Sequence, residues 1–334
     1  MTPHAMKRLA ALASLFCLLS TLAFGAEPGG GVKIAEKDGK LRVEIDGKLF
    51  TEYHYREVPR PFLFPIQWPD GTGLTRNYPI IKDAKDEDTD HIHHRSVWFG
   101  HHHVKGGKEG GVHDFWGESP TSGRMAHEKF LEVASGDNTG VIRARNLWTS
   151  KAGEVICSDE RTVRIHRVAD GRMLDHEITI HASHGAIVLG DNKDAGMAIR
   201  VAESMRTAPN KFYKDKPTGH MLNSEGVQDK DCWGKRAKWV DYYGPVNGKT
   251  FGVAILDHPQ NPKHPTWWHA RDYGLCSANA FARSQFEKLP DKNAGDIALE
   301  SGKSITFKFR FIWHTGEAKP EKIEQQWKAY GAGK

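Results

Sequence analysis

Cysteine is scarce: Cys17, Cys157, Cys232 and Cys276 are the only four in 334 residues. So few thiols cannot staple a framework, and the fold must stand on its own core, with at most one disulfide among the last three. Long apolar runs are missing after the first 25 residues, which excludes a transmembrane bundle. Charge of one sign is not concentrated anywhere. The 47 Lys and Arg against 42 Asp and Glu give +5, with no basic block that would mark a nucleic-acid partner. Gly106-Gly107 and Gly110-Gly111 lack the strand–helix context of a phosphate loop. Neither a G-x-S-x-G elbow nor a C-x-x-C ribbon occurs.

What is present begins with an export signal. Lys7 and Arg8 precede an apolar stretch over residues 9–22, and Ala23-Phe24-Gly25 offers small residues at the two positions a signal peptidase reads. Cleavage after Gly25 would leave a single domain over residues 26–334, exported to the periplasm or beyond the cell, with no membrane attachment. Loss of Lys7 and Arg8 lowers the net charge from +5 to +3.

Alternation with a period of two, broken by turns, dominates the rest and predicts antiparallel strands. Strands at 32–37 and 41–45 flank Asp38-Gly39, and Asp46-Gly47 returns the chain into 49–55. Longer strands are predicted at 124–134, 141–149, 155–168 and 173–181, then at 250–256, 274–280 and 304–314. Ile305, Phe307, Phe309 and Phe311 put four apolar groups on one face of the last. Helix signals are few. The clearest, 320–330, starts on Pro320 and carries Ile323, Trp327 and Tyr330 on one stripe. The expected fold is all-β: a large antiparallel β-sandwich with a short C-terminal helix.

Chemistry concentrates in residues 91–114, where six of the first thirteen residues are histidine. Imidazole ligates metals and moves protons near neutral pH, and it is seldom used to fill a core. On a strand, His91 and His93 would project to one face roughly 7 Å apart at Cα. That arrangement chelates a divalent transition metal; His101 and His103 repeat it, and His113 with Asp114 would complete a shell. The same segment suits a sugar site that requires no cofactor, in which histidines and Arg95 bind hydroxyls while Trp98 or Trp116 stacks on a pyranose face. A solvated, pH-sensitive loop is the third reading. The acidic and basic stretch 82–90 ahead of it reads as a solvated loop.

A second concentration, from Asp257 to Tyr273, follows the predicted strand at 250–256. Trp267 and Trp268 point to opposite faces if extended, so one of them belongs to the core. A third group contains Lys193, Asp194, Arg200 and Glu203, with Glu225 in a turn-like Asn223-Ser224-Glu225-Gly226. The candidate proton carriers are His93, His94, His264 and His269, with Glu225 or Glu203 as carboxylate partner. Arg95, Trp98, Trp116, Lys193, Asn261, Trp268, Arg271 and Asp272 would bind substrate. The candidate metal set is His91, His93, His101 and His103. A His–carboxylate pair serves epimerisation, elimination or hydrolysis of a sugar, whether a small molecule or an oligosaccharide. A metal-dependent enzyme and a non-catalytic sugar-binding module stay open. All of these readings need the two histidine-rich regions to face one another.

Five motifs run in order along nearly the whole chain: Pro59-Arg60-Pro61-Phe62-Leu63-Phe64-Pro65, His91-x-His93-His94-Arg95-Ser96-x-Trp98-Phe99, Asp114-Phe115-Trp116, Asn223-Ser224-Glu225-Gly226, and Asp257-His258-Pro259 through Trp268-His269-x-Arg271-Asp272-Tyr273-Gly274. Together they resemble the secreted family labelled "methane oxygenase PmoA". The resemblance implies a galactose-mutarotase-like supersandwich and an association with sugar-degrading enzymes, and it carries no established catalytic assignment.

Overall fold

Asp38-Gly39 and Asp46-Gly47 both take left-handed backbone, with φ of 51° and 73° in the first pair and 53° and 72° in the second. This is the geometry of a two-residue hairpin turn. The turns join strands Val32–Lys37, Lys40–Ile45 and Lys48–His54. The computed structural model describes residues 30–108, 110–216 and 218–333, so the predicted signal segment lies outside the described residues. From those three strands an eight-stranded sheet continues through Phe62–Leu63, Val97–His101, Ala195–Arg200, Leu275–Asn279 and Trp267–Ala270. A second eight-stranded sheet is built mostly from the long strands read from the sequence, including Arg124–Ala134, Thr139–Thr149, Val155–His166, Arg172–His181, Lys249–Asp257 and Ser304–Thr315.

The two sheets pack face to face because their strands alternate. In Thr139–Thr149 every second residue, from Gly140 to Trp148, is buried, and Phe307, Phe309, Phe311 and Trp313 do the same in Ser304–Thr315. Val43, Phe99 and Met197 of the first sheet share one core with Ile142, Ile178 and Phe311 of the second. Each such side chain contributes about 1.5–3 kcal/mol of transfer free energy. The antiparallel sandwich expected from the sequence is therefore the architecture found. Its C-terminal helix is Pro320–Gly331, whose Ile323 packs on Trp239, Ala254 and Leu256. Cys157, Cys232 and Cys276 are all buried and unbridged. No helix among the described residues is long and apolar enough to cross a membrane.

One local expectation fails. Residues 91–94 lie in a turn, not a strand; His91 is left-handed at φ 46°, and the strand begins only at Val97. The spacing of His91 and His93 is therefore not the projection of a pleated strand.

Candidate active site

The first sheet supplies the platform. His54, Phe62, Trp98, Ala198, Ser277 and His269 stand directly opposite one another in successive strands. Residues in one such row share a face, here the face turned away from the sandwich core. Phe62, Trp98 and Ala198 join Phe64, Trp116 and Leu275 in a separate apolar cluster on it. The turn at 91–94 lies over this floor, with the His94 ring stacked on Trp98 at 5.2 Å.

Above the floor stands an Asp–His dyad. His91 Nδ1 is 2.5 Å from Asp90 Oδ2. Two guanidiniums with no solvent exposure hold the carboxylate from below. Arg76 donates to Asp90 Oδ1 and to the carbonyls of Asp90 and His91, both at 3.0 Å. Arg200 donates to Asp90 Oδ1 at 3.3 Å and to His94 Nδ1 at 3.2 Å. Burial works against the charged form of Asp90. The His91 hydrogen bond and the two arginine charges nevertheless hold its carboxyl well below the usual carboxylate range.

These contacts set the tautomers. A guanidinium only donates, so His94 Nδ1 must accept and its Nε2 carries the hydrogen. Burial, then the Arg200 charge, keeps the His94 pKa well below its ordinary value. Nδ1–H of His91 directed at Asp90 leaves Nε2 with a free lone pair. Burial and the Arg60 charge push His93 down to about 4, so it is neutral near pH 7.

The second histidine-rich region meets this turn through Tyr273 and Arg271. Tyr273 stacks on His91, with centroids 4.9 Å apart, and Arg200 and Arg271 both lie over its ring, at 4.8 and 5.4 Å. His269 Nδ1 donates to the Lys193 carbonyl at 2.8 Å, which leaves Nε2 as an acceptor. Its pKa falls to about 4, chiefly through burial. Asp194, held by Lys193 Nζ at 2.9 Å, is within electrostatic reach of both His93 and His269. No ion pair holds Arg271 among the described residues.

Several sequence candidates stand elsewhere. His101 points into the sandwich core with Val97 and Phe99, stacked on Phe281 at 4.4 Å, because residues 98 and 101 take opposite sides of one strand. It cannot share an ion with His91 and His93, so the proposed metal set is split; His103 packs against Gly190 instead. Among the described residues no three His, Cys, Asp or Glu are placed to hold one metal ion. His113 bonds the Gly106 carbonyl, and Asp114 caps the N–H groups of Trp116 and Gly117.

His264 lies on Asp257 at 2.6 Å and stacks on Trp327 of the C-terminal helix, away from the dyad. Asn261 ties Asp257 to the Lys308 carbonyl. Both tryptophans are buried: Trp268 in the main core, and Trp267, under Arg236 at 4.6 Å, in a smaller cluster with Ala282 and Phe286. Glu225 is exposed, and its carboxylate accepts from its neighbour Ser224. Glu203 is buried against Arg206 and Asn210, 3.8 Å from Arg200, so it braces the dyad's support. Trp98 and Trp116 are floor residues, 1% and 2% exposed, and offer no open ring face. Arg95 is gripped by Glu118 at 2.6 and 2.7 Å. Asp272 acts through its carbonyl, which accepts from Thr207 and Ala208.

Asp90 and Arg76 stand outside the candidate set that the sequence suggests, and Tyr273 enters it only as the end of the second concentration. The one local signal was the adjacency of Asp90 to His91.

A model of a family of unknown function (DUF6807) matches residues 40–328. No curated protein matches the sequence. Among solved structures, the chain is similar to a galactose-mutarotase-related enzyme from Lactobacillus acidophilus, at 10% identity and TM-score 0.34, covering 86% of this chain and 99% of that one. It is also similar to a GH36 α-galactosidase from Geobacillus stearothermophilus, at 7% and 0.42, covering 85% and 40%. A third is a 4-α-glucanotransferase from Thermococcus litoralis, at 11% and 0.31, again covering 85% and 40%. The chain thus spans well under half the length of the last two. Likeness at that level bears on no residue's role.

Proposed function

The chain belongs to the family of unknown function DUF6807, and we propose that this member moves protons on a carbohydrate, with His91 as the base. The observation that carries the reading is the Asp90–His91 dyad braced by Arg76 and Arg200. Asp90 orients the ring and would stabilise the imidazolium once Nε2 has taken a proton. Neutral His93 and the Nε2 acceptor of His269 suit hydroxyl groups, the Nε2–H of His94 is a donor, and Arg271 is free to orient an oxygen that gains negative charge. A dense set of fixed polar groups over an apolar floor fits a polyhydroxylated ring better than an apolar ligand. Epimerisation, elimination and hydrolysis can each use such a base, on a hydroxyl, a carbon acid or a water, and the last two also need an acid at the leaving oxygen. The pattern of residues 1–25 supports a place of action outside the cytoplasm.

The test is incubation of the purified protein and His91→Ala with a panel of oligosaccharides, read by mass spectrometry. A product of unchanged mass marks epimerisation, gain of water marks hydrolysis, and cleavage without water marks elimination. The substitution is expected to cost about 10²–10⁴-fold in turnover. Binding without any product makes the protein a sugar-binding module, and unimpaired turnover by His91→Ala removes the dyad from the chemistry.

A further inference from the structure

A hollow of about 1070 Å³ stands apart from the imidazoles. It lies at the His54 end of the same ladder row, where the first sheet meets the Arg124–Ala134 strand of the second. Tyr55, His127 and Phe130 form its aromatic lining. A neighbouring hollow of about 530 Å³ shares Arg124 with it and extends along Pro59 to Glu118. Glu118 is the carboxylate gripped by Arg95 and, at 3.4 Å, by Arg60. Arg60 in turn donates to the carbonyls of His93 and Trp116. Glu118 at the edge of the second hollow is thus tied to the imidazole turn through Arg95 and the buried Arg60. In the ladder, His54 is two strands from Trp98, about 10 Å at roughly 4.8 Å per strand.

We infer that the substrate is a chain: an oligosaccharide whose reacting residue sits at the Asp90–His91 dyad and whose further residues run past Arg95 into the Tyr55–His127–Phe130 hollow. The inference rests on the acid–base reading for the reacting end. The hollow at the far end, about 1070 Å³, lies at the upper end of the roughly 300–1,000 Å³ range of ligand sites. Its chemistry is that of a sugar binder. His127 makes an edge contact with Tyr55 at 4.6 Å and a tilted one with Phe130 at 4.3 Å. Its Nδ1 has no hydrogen-bond partner in the protein. Among the described residues no ion pair holds Arg124 or Lys129, which leaves both cations free for ring oxygens or carboxylates. An apolar chain would leave all of these groups unpaired.

Two size-fractionated ladders, cello-oligosaccharides and oligogalacturonates from disaccharide to octasaccharide, supply the probes, with affinity measured by calorimetry and turnover by product analysis. Affinity for at least one ladder is expected to rise about tenfold or more from disaccharide to hexasaccharide, equivalent to about 1.4 kcal/mol. His127→Ala and Arg124→Gln, both on the rim strand, should remove most of that gain while leaving disaccharide turnover within about twofold. Equal affinity at all lengths, no binding of either ladder, or a gain that survives both substitutions overturns the extended cleft. Loss of turnover in His91→Ala without any length dependence would remove the cleft and leave the acid–base reading standing. Length dependence abolished by His127→Ala, with His91→Ala fully active, would do the reverse.

Discussion

The His91 imidazole lies nearly parallel to the Tyr273 ring, with planes 14° apart. One ring comes from the turn ahead of Val97–His101, and the other from the bend between Trp267–Ala270 and Leu275–Asn279. The contact is what joins the two histidine-rich regions into one site. The Arg271 guanidinium lies over the same Tyr273 ring, at 5.4 Å.

Asp90→Asn keeps the side chain's size but removes the charge that fixes His91. Turnover should fall by about 10²–10⁴-fold with little change in KM. Thermal unfolding, followed in parallel, reports what the substitution costs Arg76 and Arg200. A fall in turnover smaller than about threefold would mean that Asp90 does not orient the base.

Arg271 is predicted to hold substrate, not to move protons. Arg271→Gln should raise KM about tenfold, the loss of one charge-assisted hydrogen bond, with kcat nearly preserved and partial recovery in Arg271→Lys. Steady-state kinetics separates the two parameters. A loss confined to kcat contradicts the assignment.

His264 is a structural residue. Its ring joins buried Asp257 to Trp327, so His264→Ala should lower stability by about 1–3 kcal/mol while turnover stays intact. Urea unfolding and an activity assay on the same preparation decide the matter; an active-site role would show as lost turnover at unchanged stability.

Acid should weaken the fold. Burial is the leading cause that takes His54, His93 and His269 down to about 4 and His101 to about 3. Between those values and the ordinary value of about 6.5 the unfolded chain binds more protons than the folded one. The stability these groups contribute is therefore full above about pH 6.5 and is lost as the pH falls toward 4. His314 runs the other way: burial opposes it, but the Asp241 hydrogen bond raises its pKa, so its contribution is present in acid and lost as the pH rises. Four groups outweigh one, and the urea midpoint should be lower at about pH 4.5 than at about pH 7.5. Equal midpoints would show that the rings are not buried neutral.

Much of the architecture is legible in the sequence. Strand 32–37 and strand 124–134 were read with the observed bounds, and helix 320–330 falls one residue short of Pro320–Gly331. Less of the site was legible. His93, His94, His269 and Arg271 do come together, whereas His264, Asn261 and Trp268 serve the scaffold. Glu225 stays on the surface. Asp90 ended a stretch read as solvated loop, because a run of Asp and Lys has the same composition whether it faces water or two buried guanidiniums.

The sequence by itself determined the strands, the hairpin turns and the closing helix. Side-chain alternation, left-handed Asp-Gly turns and a Pro-started amphipathic stripe are local properties of neighbouring residues. Only the tertiary structure decided which imidazoles share a face. That depends on where the strand begins after the 91–96 turn, on the register that sets His54, Trp98 and His269 in one row, and on Arg76 and Arg200 arriving from distant segments to hold Asp90. Register and long-range ion pairing are relations between strands, and no single strand carries them.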